Sequence, residues 1–226
     1  MAKIIHRVWL GPRPMPEHQK HYGTLWKDLN SDADLIDWSW HNLPTDLPCQ
    51  DVMDDLRNRC TSSNSVELST QLADIIGYYL SYIGGIYANT DIKPVAPIHE
   101  HMWNSDFATY EEKDFPLVVN AFTGGVPNSE LWKFVLDGIS ESYFSHPPGT
   151  EMVFTTGPIY LTRRLNQWKG KLVQIYPHST VNPILWKDVP AGRLGSDLVN
   201  LNSLPDGCVG VHDWHHKING RTNVVS

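Results

Sequence analysis

The chain has 226 residues, 41% of them hydrophobic, which is enough to bury one sizeable core, so a single domain spanning residues 1–226 is expected. Eighteen basic against 25 acidic residues give a formal net charge of −7, which offers no broad positive field and argues against a basic nucleic-acid-binding surface. Three cysteines without CxxC spacing, Cys49, Cys60 and Cys208, fit inert thiols in a reducing compartment better than a disulfide framework. No apolar run approaches the roughly 18 to 20 residues that cross a bilayer, and MAKIIHRVWLGP lacks the features of a signal sequence, so a cytoplasmic protein is expected.

In chain order, KIIHRVWL (Lys3 to Leu10) is a β-branched run closed by Gly11-Pro12, a buried first strand. Pro16 to Asn30 has helical character, and Asp34 to Trp40 alternates like a second strand. After a Pro-rich connection, Gln50 to Arg59 is compatible with a helix. The strongest element is Val66 to Ile83, where Leu68, Leu72, Ile75, Ile76, Tyr79, Leu80 and Ile83 form one apolar stripe ended by Gly84-Gly85. Asp74, Gly77, Tyr78 and Ser81 lie opposite, a side that pattern alone assigns to water.

Ile86 to Ala88 then forms a short strand, the triplet Asn89-Thr90-Asp91 follows, and Ile92 to Val95 is extended. Pro116 to Phe122 is a further strand, Ser129 to Tyr143 a helix with Ser129 as N-cap, and Pro158 opens another helix. Lys171 to Tyr176 and the start of VGVHDWHHK complete the strands. Strands alternating with helices point to an α/β protein around a mainly parallel sheet.

Ligands of open α/β sheets bind beyond the carboxyl ends of the strands, where the triplet falls. On an extended segment Asn89 and Asp91 would point the same way, and such an oxygen-rich pair suits a hard cation carrying a phosphate. A turn in which Asn and Asp bond their own backbone would have the same sequence. Nine Trp and nine Tyr, many beside polar residues, supply faces that stack on nucleobases or sugars or serve as core anchors.

The combination of IIHRVWLGP, ADIIGYYLSYIGGIYANTDI, TTGP and a late His-Asp-Trp resembles glycosyltransferase family 32, the DXD-containing sugar transferases with a GT-A fold. The resemblance runs from Lys3 to about Trp214 and implies a metal-dependent, retaining glycosyltransferase that uses a nucleotide-diphosphate sugar, UDP-linked in preference to GDP-linked. By this resemblance Asp91 and His212 would hold Mn²⁺ or Mg²⁺, with Asp91, Asp74 and Asn89 as the catalytic set. Donor binding would use Asp74, Asn89, Tyr78, His6, Trp9 against the base, and Trp214 and Lys217 toward the diphosphate.

The acceptor, a glycan or protein hydroxyl, would meet loops near His99 to Lys113, Asn120 to Asn128 and Pro177 to Gly195. A bacterial or viral setting is expected in preference to the Golgi. Two departures qualify the likeness. Asn89 stands where the family has its first Asp, and Gly77 where it has Arg, whose place Arg57, Arg163 or Arg164 could take. A catalytically weak nucleotide-sugar-binding protein is therefore an alternative. A metal hydrolase built on His212, Asp213, His215 and His216 is a further one, without HExxH spacing to support it.

Overall fold

The structure, a computed structural model, describes residues 2–63, 66–110 and 117–214. The first strand, β1 (Ile4–Val8), is buried at four of its five positions, as an apolar run with both faces covered should be. After it come α1 (Glu17–Leu29), β2 (Asp34–Trp38), α2 (Gln50–Ser63), α3 (Val66–Ile83), β3 (Gly85–Ala88) and β4 (Ile92–Pro94). The chain continues through β5 (Phe107–Tyr110), β6 (Val118–Gly125), α4 (Glu130–Asp137), α5 (Ile139–Ser145), α6 (Met152–Thr155), α7 (Pro158–Gln167), β7 (Gln174–Tyr176) and β8 (Gly210–His212).

Six strands form the central sheet in the order β2-β1-β3-β6-β5-β7. β1 is parallel to β2 and β3, and β5 to β7, whereas β6 runs antiparallel to both its neighbours. Five strands therefore point one way and β6 is reversed. A separate antiparallel ribbon pairs β4 with β8.

Strand alternation sends side chains into two apolar clusters. Tyr87, Ala108 and Val118 join α2, α3, α4 and α7 on one face, while Ile86, Ala88, Phe107 and Val119 join Trp26 of α1 on the other.

Helix α3 keeps the expected span, but the side assigned to water is covered: Gly77, Tyr78 and Ser81 are buried. Ser81 shares a 2.9 Å hydrogen bond with Thr123 of β6, and Tyr78 stacks on Trp132 with ring centroids 6.0 Å apart. The helix is thus enclosed by the sheet on one side and by α2 and α4 on others, which a two-sided helical pattern does not announce. Gly84 and Gly85 follow at φ of 104° and 123°, backbone that a side chain rarely adopts, and reverse the chain into β3.

The single helix expected from Ser129 to Tyr143 is two helices broken at Gly138, where the Arg164 guanidinium lies against the backbone and donates to Phe134 O. Ser129 does cap α4, accepting from Trp132 N at 3.2 Å, and Pro158 occupies the first turn of α7. β5 lies within the stretch His99 to Lys113 that was expected to be loop; its four residues are too short a signal to read. No helix among the described residues is long and apolar enough to cross a membrane.

Candidate active site

The carboxyl ends of the five co-directed strands share one edge of the sheet. Trp9 follows β1 there, Asn89 follows β3, and Asn120 sits near the start of the reversed β6. Asn120, where the expected strand Pro116 to Phe122 overlaps the expected acceptor loop Asn120 to Asn128, is a strand residue whose amide reaches the neighbouring helix.

The triplet is not extended. Ile92 N–H donates to Asn89 O at 3.1 Å, which makes residues 89–92 a turn between β3 and β4. Asn89 and Asp91 consequently serve different partners. Asn89 Oδ1 accepts from Tyr87 Oη at 2.8 Å, so its amide N–H₂ is the end left to donate. The Asp91 carboxylate turns to the ribbon, where Oδ1 lies 3.2 Å from His212 Nε2.

That meeting follows from β-pairing. Ile92 lies opposite His212 across the ribbon, and Asp213 N–H donates to Asp91 O at 2.9 Å, so one ladder brings both side chains to the same place. His212 is buried, and its Nδ1 has no hydrogen-bond partner among the described residues. The Trp214 ring lies 4.0 Å from the imidazole, while its indole N–H donates to Ile184 O at 3.1 Å rather than pointing outward for a phosphate.

Asp74 of α3 supplies a second carboxylate. Asn120 Nδ2 donates to its Oδ1 at 2.6 Å and Thr156 Oγ1 to its Oδ2 at 3.1 Å. Burial nevertheless pushes its pKa up to about 7, because the two hydrogen bonds stabilise the anion less than the lost water did. The carboxyl is therefore poised between charge states near neutral pH. Asn120 and Thr156 were not assigned as site residues from the sequence. The signals available were an Asn interrupting the apolar run VVNAF, and the TTGP segment itself.

Gly77, where the resembled family carries Arg, is filled from outside: an added Cβ would lie 2.8 Å from the Tyr87 ring. Of the possible substitutes, Arg163 donates to Phe154 O, Arg164 to Phe134 O, and Arg57 sits beside Asp54 at 3.5 Å.

His6 and Tyr78 lie differently from the donor-binding expectation. Trp38 Nε1 donates to His6 Nδ1 at 3.1 Å and His6 Nε2 meets Gly84 O at 3.2 Å, so both ring nitrogens are engaged inside the protein. Burial lowers its pKa to about 4, keeping the ring neutral. Tyr78 sits in the core, where its hydroxyl donates to Thr156 O at 2.7 Å. Trp9 is half-buried, its indole N–H bonded to Arg13 O at 2.7 Å. Lys217, His215 and His216 lie outside the described residues. A groove of about 710 Å³ between Asn104 and Ile175 opens at the opposite edge of the sheet and belongs to none of this.

Among the described residues no three His, Cys, Asp or Glu side chains are grouped to hold a metal. Asp213 does not join Asp91 and His212, because its carboxylate accepts from Tyr22 Oη at 2.6 Å and from Ser196 N at 2.8 Å. The unpartnered Nδ1 of His212 points away from Asp91, so a divalent cation shared by the two side chains would be held through Nε2 and a carboxylate oxygen, two positions of its shell. The rest would then come from diphosphate oxygens and water, as is usual for Mg²⁺-type sites.

No protein-family model matches the sequence, and no curated protein matches it. Solved structures do. "PaToxG Glycosyltransferase" superposes with a TM-score of 0.55 at 17% identity, over 74% of this chain and 69% of that one. The UDP-bound glycosyltransferase domain from the YGT toxin gives 0.53 at 10% identity, over 77% and 79%. The ligand-free form of that domain gives 0.51 at 10%, over 81% and 83%. At these identities the likeness concerns the fold, and together with the six-stranded, mostly parallel sheet flanked by helices it establishes that this chain has the GT-A glycosyltransferase fold.

Proposed function

We propose that the chain is a glycosyltransferase of the family 32 type, moving a sugar with retention from a nucleotide-diphosphate donor, UDP-linked by preference, to a hydroxyl of a glycan or protein. The observation that carries this reading is the 3.2 Å meeting of Asp91 and His212 at the carboxyl-end edge of a GT-A sheet, from segments far apart in the chain. Asp91 and His212 would hold Mn²⁺ or Mg²⁺; when bound, such an ion supplies charge neutralisation to the departing diphosphate. Asp74, fixed by Asn120 and Thr156, accepts a hydrogen bond from a donor-sugar hydroxyl, and Asn89 offers its amide N–H₂ to a ribose or sugar oxygen. Trp9 gives the base a face to stack on, and the Trp214 ring is assigned to the diphosphate, as is Lys217 by the resemblance alone. The sequence identifies no carboxylate as a covalent nucleophile, so in this reading the acceptor attacks from the face the diphosphate leaves, and its proton departs with the phosphate oxygens.

His6 and Tyr78 enter this reading as supports, since their polar atoms bond within the protein. A second reading, a nucleotide-sugar-binding protein with weak turnover, draws on Gly77 and Asn89: Tyr87 fills the space of the missing Arg, and the triplet has one acid. Thermal shift with UDP and GDP, with and without Mn²⁺, followed by donor hydrolysis by wild type and Asp91→Ala, separates the two. Mn²⁺-dependent stabilisation by UDP with turnover reduced on the order of 100-fold in Asp91→Ala supports transfer. Stabilisation without turnover supports binding alone. No nucleotide response defeats both, and an inverted anomeric product defeats the family 32 assignment.

A further inference from the structure

Helix α1 hydrogen-bonds to one residue beside each strand of the β4–β8 ribbon, next to Asp91 and next to His212. Gln19 and Tyr22 are three residues apart and so share one helical face. Gln19 Oε1 accepts from Thr90 Oγ1 at 2.8 Å, and Thr90 is the residue directly before Asp91. Tyr22 Oη donates to Asp213 Oδ2 at 2.6 Å, and Asp213 directly follows His212. All four side chains are buried: Gln19 is 1% exposed, Tyr22 4%, Thr90 7% and Asp213 0%.

The helix is itself tied to the central sheet. Arg7 of β1, fully buried, donates to Gln19 O at 2.7 Å and forks onto Asp37 of β2 at 2.7 and 2.8 Å. A continuous polar path thus leads from β2 through Arg7 and α1 to the residues flanking Asp91 and His212. Isolated two-stranded ribbons are marginal in water, and three-residue strands such as β4 and β8 need an outside hold to keep their register. Apolar contacts alone do not select register in so short a ladder, whereas directional bonds do: Val209 and His212 N–H donate to Thr180 O and Val181 O on the β8 side, and α1 adds one bond beside each strand.

We propose that α1 is a positioning clamp, in which Gln19 through Thr90 and Tyr22 through Asp213 set the register at which Asp91 and His212 meet. These four are positioning residues and touch no substrate; the catalytic meaning of the clamp rests on the glycosyltransferase reading above, but its existence does not.

The test uses the full chain with Thr90→Val, Tyr22→Phe and the conservative Thr90→Ser. Backbone amide exchange is followed at Asp213, whose N–H bonds Asp91 O, and in β1 and β3 as the reference. Thr90→Val and Tyr22→Phe each raise exchange at Asp213 about tenfold, with β1 and β3 unchanged, and Thr90→Ser stays within about twofold of wild type. The affinity for UDP with Mn²⁺ falls about tenfold in the first two and is retained in the third. Unchanged exchange at Asp213 in both variants overturns the clamp, and so does equal acceleration in the ribbon and the central sheet, which would mean general loosening. If wild type fails to bind UDP, the glycosyltransferase reading falls while the exchange comparison still decides the clamp.

Discussion

The central sheet and the β4–β8 ribbon share an apolar core, and the ribbon carries a second, directional fastening on top of it. The sheet is closed over by two apolar clusters, with side chains as large as Trp26, Trp132 and Phe122 fully buried. The ribbon, three residues per strand, shares the second cluster through Ile92 and the adjoining Val209, and adds directional bonds beside each strand, Thr90 Oγ1 donating to Gln19 and Tyr22 Oη to Asp213. Apolar burial is strong but non-directional, which suits a scaffold; hydrogen bonds are weaker and directional, which suits the placing of two side chains within 3.2 Å. The residues proposed to do chemistry sit where the second kind of fastening is added to the first.

The largest break in that comparison should come from the scaffold side. Trp132→Ala removes a buried ring that stacks on Tyr78 and donates to Gly124 O at 2.7 Å. It should cost about 3–5 kcal/mol in denaturant unfolding, and nucleotide binding should disappear only together with folding. Gly77→Ala acts at the boundary, since the new Cβ would press the Tyr87 ring from 2.8 Å and Tyr87 in turn holds Asn89. A loss of about 1–3 kcal/mol is expected, with a nucleotide affinity that drops beyond what stability explains.

Asp74→Asn sharpens the contrast through pH. A carboxyl raised from 3.8 to about 7 binds its proton more tightly when folded, so the wild type loses stability as pH rises from about 4 to 7, and the loss is constant above. The Asn variant lacks that slope. It should melt higher than wild type at pH 8 relative to pH 4, while donor turnover falls on the order of tenfold, about 1.4 kcal/mol.

The smallest effect is at His6, a buried neutral ring in the scaffold. Its pKa of about 4 against 6.5 unfolded means that the unfolded chain takes up the proton first, so stability is lost as pH falls from about 6.5 toward 4. His6→Gln can accept from Trp38 and donate to Gly84. It should flatten this acid limb by under about 1 kcal/mol at pH 6 and leave UDP affinity unaltered, as thermal melts across pH with and without UDP would show.

Most elements of the scaffold were legible because their signals are local. The stripe of α3 and its glycine stop, the β-branched run of β1 and the Ser129 cap each express a period or a capping preference within one short window. The pairing of Asp91 with His212 was reachable only through a family resemblance, since nothing in either segment names the other. Tyr78 and Ser81 were misjudged for a related reason: a helix covered on several sides has a polar flank that meets Trp132 and Thr123, not water. For the triplet the sequence left an extended pair and a turn open, and the hydrogen bond from Ile92 N to Asn89 O decides for the turn, set by how β4 leaves the sheet to find β8.

By itself the sequence determined the α/β class, the strong helices and strands, and the carboxyl-end position of the Asn89-to-Asp91 segment, because burial pattern, turn chemistry and chain direction are written in neighbouring residues. Tertiary structure alone decided that Tyr87 fills the space at Gly77, that Asn120 and Thr156 hold Asp74, and that Gln19 and Tyr22 reach residues beside the two strands of the ribbon. Each is a contact between segments distant in the chain, and the energy that selects it exists only once the core has brought those segments together.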